Sequence, residues 1–210
     1  VTDSLDPVTA AIVDGGIVAI LRAPSAGGFA AVADVLVAAG ITALEVTLTS
    51  NGALEAIAGL RRRLPAATII GAGTVLTPDD AKAAVDAGAS FLVSPVLDAL
   101  AGQSVPCYPG AYTPTEVYSA YRAGAPLVKL FPAGGLRPAY LKDLRGPLPQ
   151  VRILPTGGIN LDDIPGWLTV GAAAVGLGGP LVGDAADGGS LTALAARAER
   201  AVAAVAIARS

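Results

Sequence analysis

The chain has 210 residues, a net charge of -3, a single cysteine and no histidine, with a mean hydropathy of +0.61. Without histidine, Ser-His-Asp hydrolysis, imidazole metal sites and histidine general bases are excluded, and the lone Cys107 rules out an internal disulfide and fits a reducing compartment. An acidic balance with three Phe and one Trp leaves no electrostatic footprint for nucleic acid, and the apolar runs fall short of the roughly 18 residues a membrane span needs. The length suits one hydrophobic core, so a single domain over residues 1–210 is expected. Val1 to Asp6 is polar and acidic rather than a basic then apolar leader, which predicts a cytoplasmic protein.

In chain order, Val1 to Val13 reads as a short amphipathic helix, with Leu5, Val8, Ile12 and Val13 at helical spacing and Pro7 in its first turn. Gly15-Gly16 ends it. Ile17 to Arg22 is a buried strand closed by an arginine, and Ser25 caps an alanine-rich helix that runs to about Ala39. The plan repeats: strand Ala43 to Leu48, cap Ser50-Asn51, helix Ala53 to Leu64; then strand Thr68 to Val75 and a helix opened by Thr77-Pro78-Asp79-Asp80. Phe91 to Pro95 is the fourth strand, with a short helix near Leu97 to Gly102; Val105 to Ala111 is the fifth, with a capped helix from Thr113 to Gly124. Leu127 to Pro132, Arg152 to Gly158 and Ala173 to Gly179 are the last three strands, followed by helices at Pro138 to Arg145, Leu161 to Val170 and Ser190 to Arg209. Arg61, Arg62 and Arg63 close a helix, where cations suit the dipole and solvent.

Eight strand-then-helix units in a chain of this length favour closure over an open sheet. The turn after the first strand, Arg22-Ala23-Pro24-Ser25, lacks the GxGxxG of a dinucleotide site, and Gly71-Ala72-Gly73 lacks its third glycine because Leu76 stands there. The expected fold is therefore α/β, a single small (β/α)8 TIM barrel with a short N-terminal helix. Its reactive face is expected at the C-terminal ends of the strands.

Polar residues within those strands form a short set: Arg22, Glu45 with Thr47, Thr74, Lys129 and Thr156. Lys129 is one of three lysines and lies among Leu127, Val128, Leu130 and Phe131. Loss of hydration there favours the neutral amine, a nucleophile towards carbonyls; equally, its stem could lie along apolar surface with the head reaching water. Glu45 is the one glutamate in a predicted strand. It either neutralises Lys129 or Arg22 in a buried ion pair or serves as general acid and base. A lysine, a carboxylate and hydroxyls in one apolar cup suit imine chemistry, with Arg22 and the threonines holding a substrate carboxylate. Gly157-Gly158 and Gly178-Gly179 follow the seventh and eighth strands, where barrels often bind phosphate, although glycine pairs also serve ordinary turns. Two other readings use the same residues: a phosphosugar isomerase or epimerase with Glu45 as base, and a non-catalytic sugar-acid-binding barrel. Cys107 is expected in the core rather than as a nucleophile.

The segments LEVTL (Leu44 to Leu48), GAGTVL (Gly71 to Leu76), VKLFP (Val128 to Pro132) and LPTGGI (Leu154 to Ile159) resemble, in order and over nearly the whole chain, the 2-keto-3-deoxy-6-phosphogluconate aldolases and their galactonate relatives. The resemblance implies a homotrimeric barrel that uses no cofactor and no metal. Such an enzyme cleaves a 2-keto-3-deoxy-6-phospho sugar acid to pyruvate and glyceraldehyde 3-phosphate through a lysine imine. It implies Lys129 as the Schiff-base lysine and Glu45 as its proton shuttle. Arg22, Thr47, Thr74, Pro95 and Thr156 would surround the substrate, and Gly157, Gly158, Gly178 and Gly179 would lie in the phosphate region. Two departures stand out: Thr49 replaces an arginine common in the gluconate type, and Pro180 replaces a serine that helps hold phosphate. They raise the alternative of an unphosphorylated aldehyde or a 4-hydroxy-2-oxoglutarate-type substrate.

Overall fold

Proline and capping residues set the helix starts in the computed structural model, which describes residues 5–97 and 102–210. Helix α1 (Pro7–Gly15) begins with the Asp6 carboxylate accepting the Thr9 N–H at 2.9 Å and ends on left-handed Gly16. It leads into β1 (Ile17–Leu21), a short 3-10 turn at Ala26–Gly28 and α2 (Phe29–Ala38). There follow β2 (Ala43–Thr47), α3 (Ala53–Arg63), β3 (Ile69–Gly73) and α4 (Pro78–Asp86). Thr77 and Asp80 satisfy each other's backbone N–H groups at the start of α4, as Thr113 and Glu116 do at α5 (Pro114–Arg122). Between them lie β4 (Leu92–Val93), β5 (Cys107–Tyr108) and β6 (Gly110–Ala111). The chain continues through β7 (Val128–Leu130), α6 (Pro138–Arg145), β8 (Ile153–Pro155), α7 (Ile164–Thr169), β9 (Val175–Leu177), α8 (Gly179–Val182) and α9 (Leu191–Arg209).

The strands are parallel and form a curled sheet in two hydrogen-bonded pieces, β5-β4-β3-β2-β1-β9 and β6-β7-β8. Alternation along each strand sorts side chains into two cores. Ile17, Ala19, Leu21, Leu44, Val46, Val128, Leu130, Ile153, Val175 and Leu177 face the helices. Val18, Ala43, Phe91, Val93, Tyr108, Leu127, Leu154 and Ala174 fill the concave side, and Ile12 of α1 packs against them from below. Tyr108 shares a 2.8 Å hydrogen bond with Thr9, and burial pushes its phenol above the usual range. This apolar floor supports whatever stands one step further along the same strand face.

Several boundaries differ from the sequence expectation. The fifth strand is two pieces because Pro109 has no N–H to give to the ladder, although its carbonyl accepts the Lys129 N–H at 3.0 Å. In place of one continuous ladder there are these two sheet pieces, whose edges β8 and β9 touch through a Thr156–Gly176 bridge and an Ala173 N–H to Ile153 carbonyl bond of 2.9 Å. The expected cap Ser50-Asn51 does not cap α3. Left-handed Gly52 does, while Ser50 and Asn51 bond to the loop after β1. Helix α8 was not foreseen. The expected helix starting at Val1 lies partly outside the described residues, and the one near Leu97 to Gly102 lies largely outside them. Among the described residues no helix is long and apolar enough to cross a membrane.

Candidate active site

One step beyond the apolar floor, the inward positions of β1, β2, β7, β8 and β9 carry Ile20, Glu45, Lys129, Thr156 and Gly176. Together with Arg22, Phe131, Gly157, Gly158, Ile159, Gly178, Gly179 and Pro180 they line a cavity of about 200 Å³. Parallel pairing brings them level: Ile20 is opposite Glu45, Gly110 opposite Lys129, and Lys129 opposite Leu154. Lys129 is 5% exposed and Glu45 2%. The Lys129 Nζ stands 5.0 Å from the centre of the Phe131 ring.

Glu45 is the least satisfied group in this set. Its Oε1 is buried without a hydrogen-bond partner, a state that costs about 1–3 kcal/mol for a neutral group and more for a charged one. Ion pairs such as Arg63 with Asp34, Lys82 with Asp86 and Arg200 with Asp162 lie on the surface. Among the described residues Glu45 forms no such pair with Lys129 or Arg22, so the neutralising role does not account for it. Its carboxylate occupies the space that a Cβ on Gly73 would fill, 1.8 Å from Oε1. Gly176 likewise makes room for Thr156, whose Oγ1 would lie 2.4 Å from a Cβ there. The Thr156 hydroxyl donates to the Leu154 carbonyl at 3.2 Å and keeps its lone pairs for another donor.

Arg22 sits at the rim, and its Nη2 donates to the Thr74 hydroxyl at 3.0 Å. Thr74 is a β-branched residue at φ 59, a left-handed conformation that such side chains rarely adopt. The backbone on either side of Arg22 is clamped as well. The Leu21 carbonyl accepts from Thr47 at 3.1 Å, the Ala23 N–H donates to Ser50 at 3.3 Å, and the two hydroxyls meet at 3.2 Å.

Of the predicted site residues, Arg22, Glu45, Lys129, Thr156, Gly157, Gly158, Gly178 and Gly179 come together around the cavity. Thr47, Thr74 and Pro95 stand outside its lining. Thr47 is turned into the Leu21 and Ser50 bonds, Thr74 holds Arg22, and Pro95 presses its carbonyl against Gly110. In this structure Thr47 is bonded to the Leu21 carbonyl and the Ser50 hydroxyl, and the Pro95 carbonyl lies where a Cβ on Gly110 would stand. Ser50 and Gly73 were missed. A glycine inside a strand was the available signal for Gly73, as it marks a close approach. Cys107 lies away from this cavity and burial pushes its thiol up to about 11, which suits packing better than nucleophilic attack.

Residues 8–193 match the family described as KDPG and KHG aldolase. The chain belongs to this aldolase family. It is 44% identical over 146 residues to the 2-dehydro-3-deoxy-phosphogluconate aldolase of Pseudomonas aeruginosa, covering 66% of this chain and 65% of that enzyme. It is 31% identical over 171 residues to the 2-dehydro-3-deoxy-6-phosphogalactonate aldolase of Escherichia coli, covering 79% of this chain and 83% of that one. Among solved structures of family members, the KDPG aldolase of Legionella pneumophila, with pyruvate captured at low pH as a covalent carbinolamine, superposes with a TM-score of 0.81 at 31% identity. That match covers 94% of this chain and 98% of the other.

Proposed function

We propose that this chain is a class I aldolase that cleaves a 2-keto-3-deoxy-6-phospho sugar acid, of the gluconate or galactonate series, to pyruvate and glyceraldehyde 3-phosphate. The observation that carries this reading is the pairing of buried Lys129 with the partnerless Oε1 of Glu45 in one cavity. Lys129 Nζ adds to the C2 carbonyl to give a carbinolamine, and loss of water gives an iminium. As the C4 hydroxyl proton leaves, the C3–C4 bond breaks and its electron pair flows into the iminium, releasing the aldehyde and leaving an enamine. Protonation at C3 and addition of water return the amine and pyruvate. Glu45 is the carboxylate placed to carry these protons, a role commonly contributing about 10²–10⁴-fold in rate. Arg22, oriented by Thr74, is positioned to meet the substrate carboxylate.

Family membership and the Legionella relative's pyruvate carbinolamine support an imine at Lys129. On this reading the two sheet pieces are one (β/α)8 barrel in a single domain, with β5 and β6 one strand interrupted at Pro109, and the protein is a cytoplasmic homotrimer. The test is to incubate the protein with pyruvate and borohydride and locate the reduced adduct by mass spectrometry. An adduct on Lys129 is expected. Aldol cleavage that survives Lys129→Ala would sink the proposal.

A further inference from the structure

Phe131 directly follows β7 and stands two residues after Lys129, so in extended backbone both side chains leave the same face, and both line the cavity. The Lys129 Nζ lies 5.0 Å from the centre of the Phe131 ring, inside the roughly 6 Å over which an aromatic face attracts a cation. The backbone beneath the pair is fastened on both sides. The Phe131 N–H donates to the Ala111 carbonyl at 2.9 Å, that of Lys129 to the Pro109 carbonyl at 3.0 Å, and that of Thr156 to the intervening Leu130 carbonyl at 3.0 Å. Gly157, at φ 87, packs on the ring so closely that a Cβ there would come 2.9 Å from its Cε2 and 3.0 Å from its Cδ2. The loop after β8 thus leaves the ring little room to turn. Among the described residues Lys129 forms no ion pair, although Glu45 lines the same cavity. A positive charge on a group only 5% exposed is costly without compensation, and the ring lies against it.

Building on the aldolase reading, we infer that the Phe131 ring stabilises the cationic nitrogen of the imine at Lys129, and so sets how much of the bound keto acid is held as iminium. The nitrogen is neutral in the carbinolamine and in the enamine. It is positive in the iminium, where its lone pair has formed the C=N bond and the C2 hydroxyl has left, protonated, as water. The negative face of the ring favours that one state over the two on either side of it. A carboxylate locked onto the nitrogen would favour it too, but such a carboxylate is a weaker base, and Glu45 is needed free to move protons. The ring attracts the charge and exchanges no proton. Lys129 is thus served by two groups with separate tasks, Glu45 for protons and Phe131 for charge.

The experiment uses pyruvate, which forms the iminium and the enamine without any aldehyde. It follows exchange of the methyl protons into deuterium oxide together with the rate of borohydride trapping at Lys129. Phe131→Leu should lower the saturating exchange rate and the trapping rate roughly tenfold to thirtyfold, the scale of a desolvated cation against an aromatic face, with a smaller change in KM. Leucine also alters packing, so the deciding series replaces Phe131 with mono-, di- and trifluorophenylalanine, which keep the ring's shape while draining its face of negative charge. Both rates should fall with each added fluorine, to about a tenth of the wild-type value at three. Rates that Phe131→Leu leaves unmoved, or a flat fluorine series, overturn the inference. Should the leucine variant fail to fold, the fluorine series decides alone. The wild-type adduct separates the two levels: an adduct on Lys129 whose rate ignores fluorination defeats only this inference, whereas no adduct defeats the aldolase reading itself.

Discussion

Around Glu45, the proton-carrying role proposed for it and the packing of its neighbours draw on the same few ångströms. Its carboxylate lies in the place of a Gly73 side chain, with its Cδ 2.3 Å from where a Cβ would be, so the glycine in GAGTVL is the counterpart of the glutamate in LEVTL. Gly73→Ala should force the carboxylate out of line. We expect a loss of about 10² in kcat, the scale of a displacement of roughly 1 Å, while pyruvate and borohydride still label Lys129; unchanged kcat would show that Glu45 has room to spare. The lysine was legible in the sequence because a charged residue inside an apolar strand stands out. Gly73 was less so, because β2 pairs it with Thr47 and its role depends on the Glu45 side chain reaching across from the position opposite Gly71.

At the scale of elements, the loops after β1 and β2 are fastened together, and that fastening holds Arg22. Thr47 and Ser50 grip the Leu21 carbonyl and the Ala23 N–H, while the Pro24 carbonyl and the Ala26 N–H bond to Asn51 at 3.0 and 2.9 Å. Thr47→Val keeps the shape but loses the hydroxyl. It should raise KM for the keto acid about fivefold with a smaller change in kcat, since one contact of this kind is worth about 1 kcal/mol; a fall confined to kcat would place Thr47 at the reacting atoms instead. Helix α5 offers a pH-dependent case. The Thr113 and Tyr112 N–H groups and the Thr113 hydroxyl hold the Glu116 carboxyl below its ordinary range. A lowered folded-state value contributes stability above the unfolded value that is lost as pH falls through the folded one. The Tm gap between the wild type and Glu116→Gln should thus be present at neutral pH and shrink in acid, and a gap that grows in acid would contradict this. The capping box itself could be read from Thr113-Pro114-Thr115-Glu116, because all of its partners are local.

Over the whole molecule, the two ends of the described chain meet. Arg209, the last residue of α9, donates to the carbonyls of Val13 and Asp14 at the end of α1, which fixes beneath the sheet the helix that supplies Ile12 and Thr9. Arg209→Ala should lower Tm by about 2–4 °C, the shift that ~1 kcal/mol brings in a chain of this size, with kcat preserved because the site is at the opposite ends of the strands. A calorimetric scan checks it, and an unchanged Tm would leave α1 held by its apolar face alone. By itself the sequence determined the alternation of strands and helices, the two-sided burial of the strands and the residues gathered around the cavity, because period, caps and an isolated charge are properties of neighbours along the chain. Only the tertiary structure decided that Thr47 clamps a backbone, that Pro109 splits a strand and that Gly73 gives Glu45 its space. Each of these depends on which atoms from distant strands come within hydrogen-bonding or contact distance, and no local pattern encodes that distance.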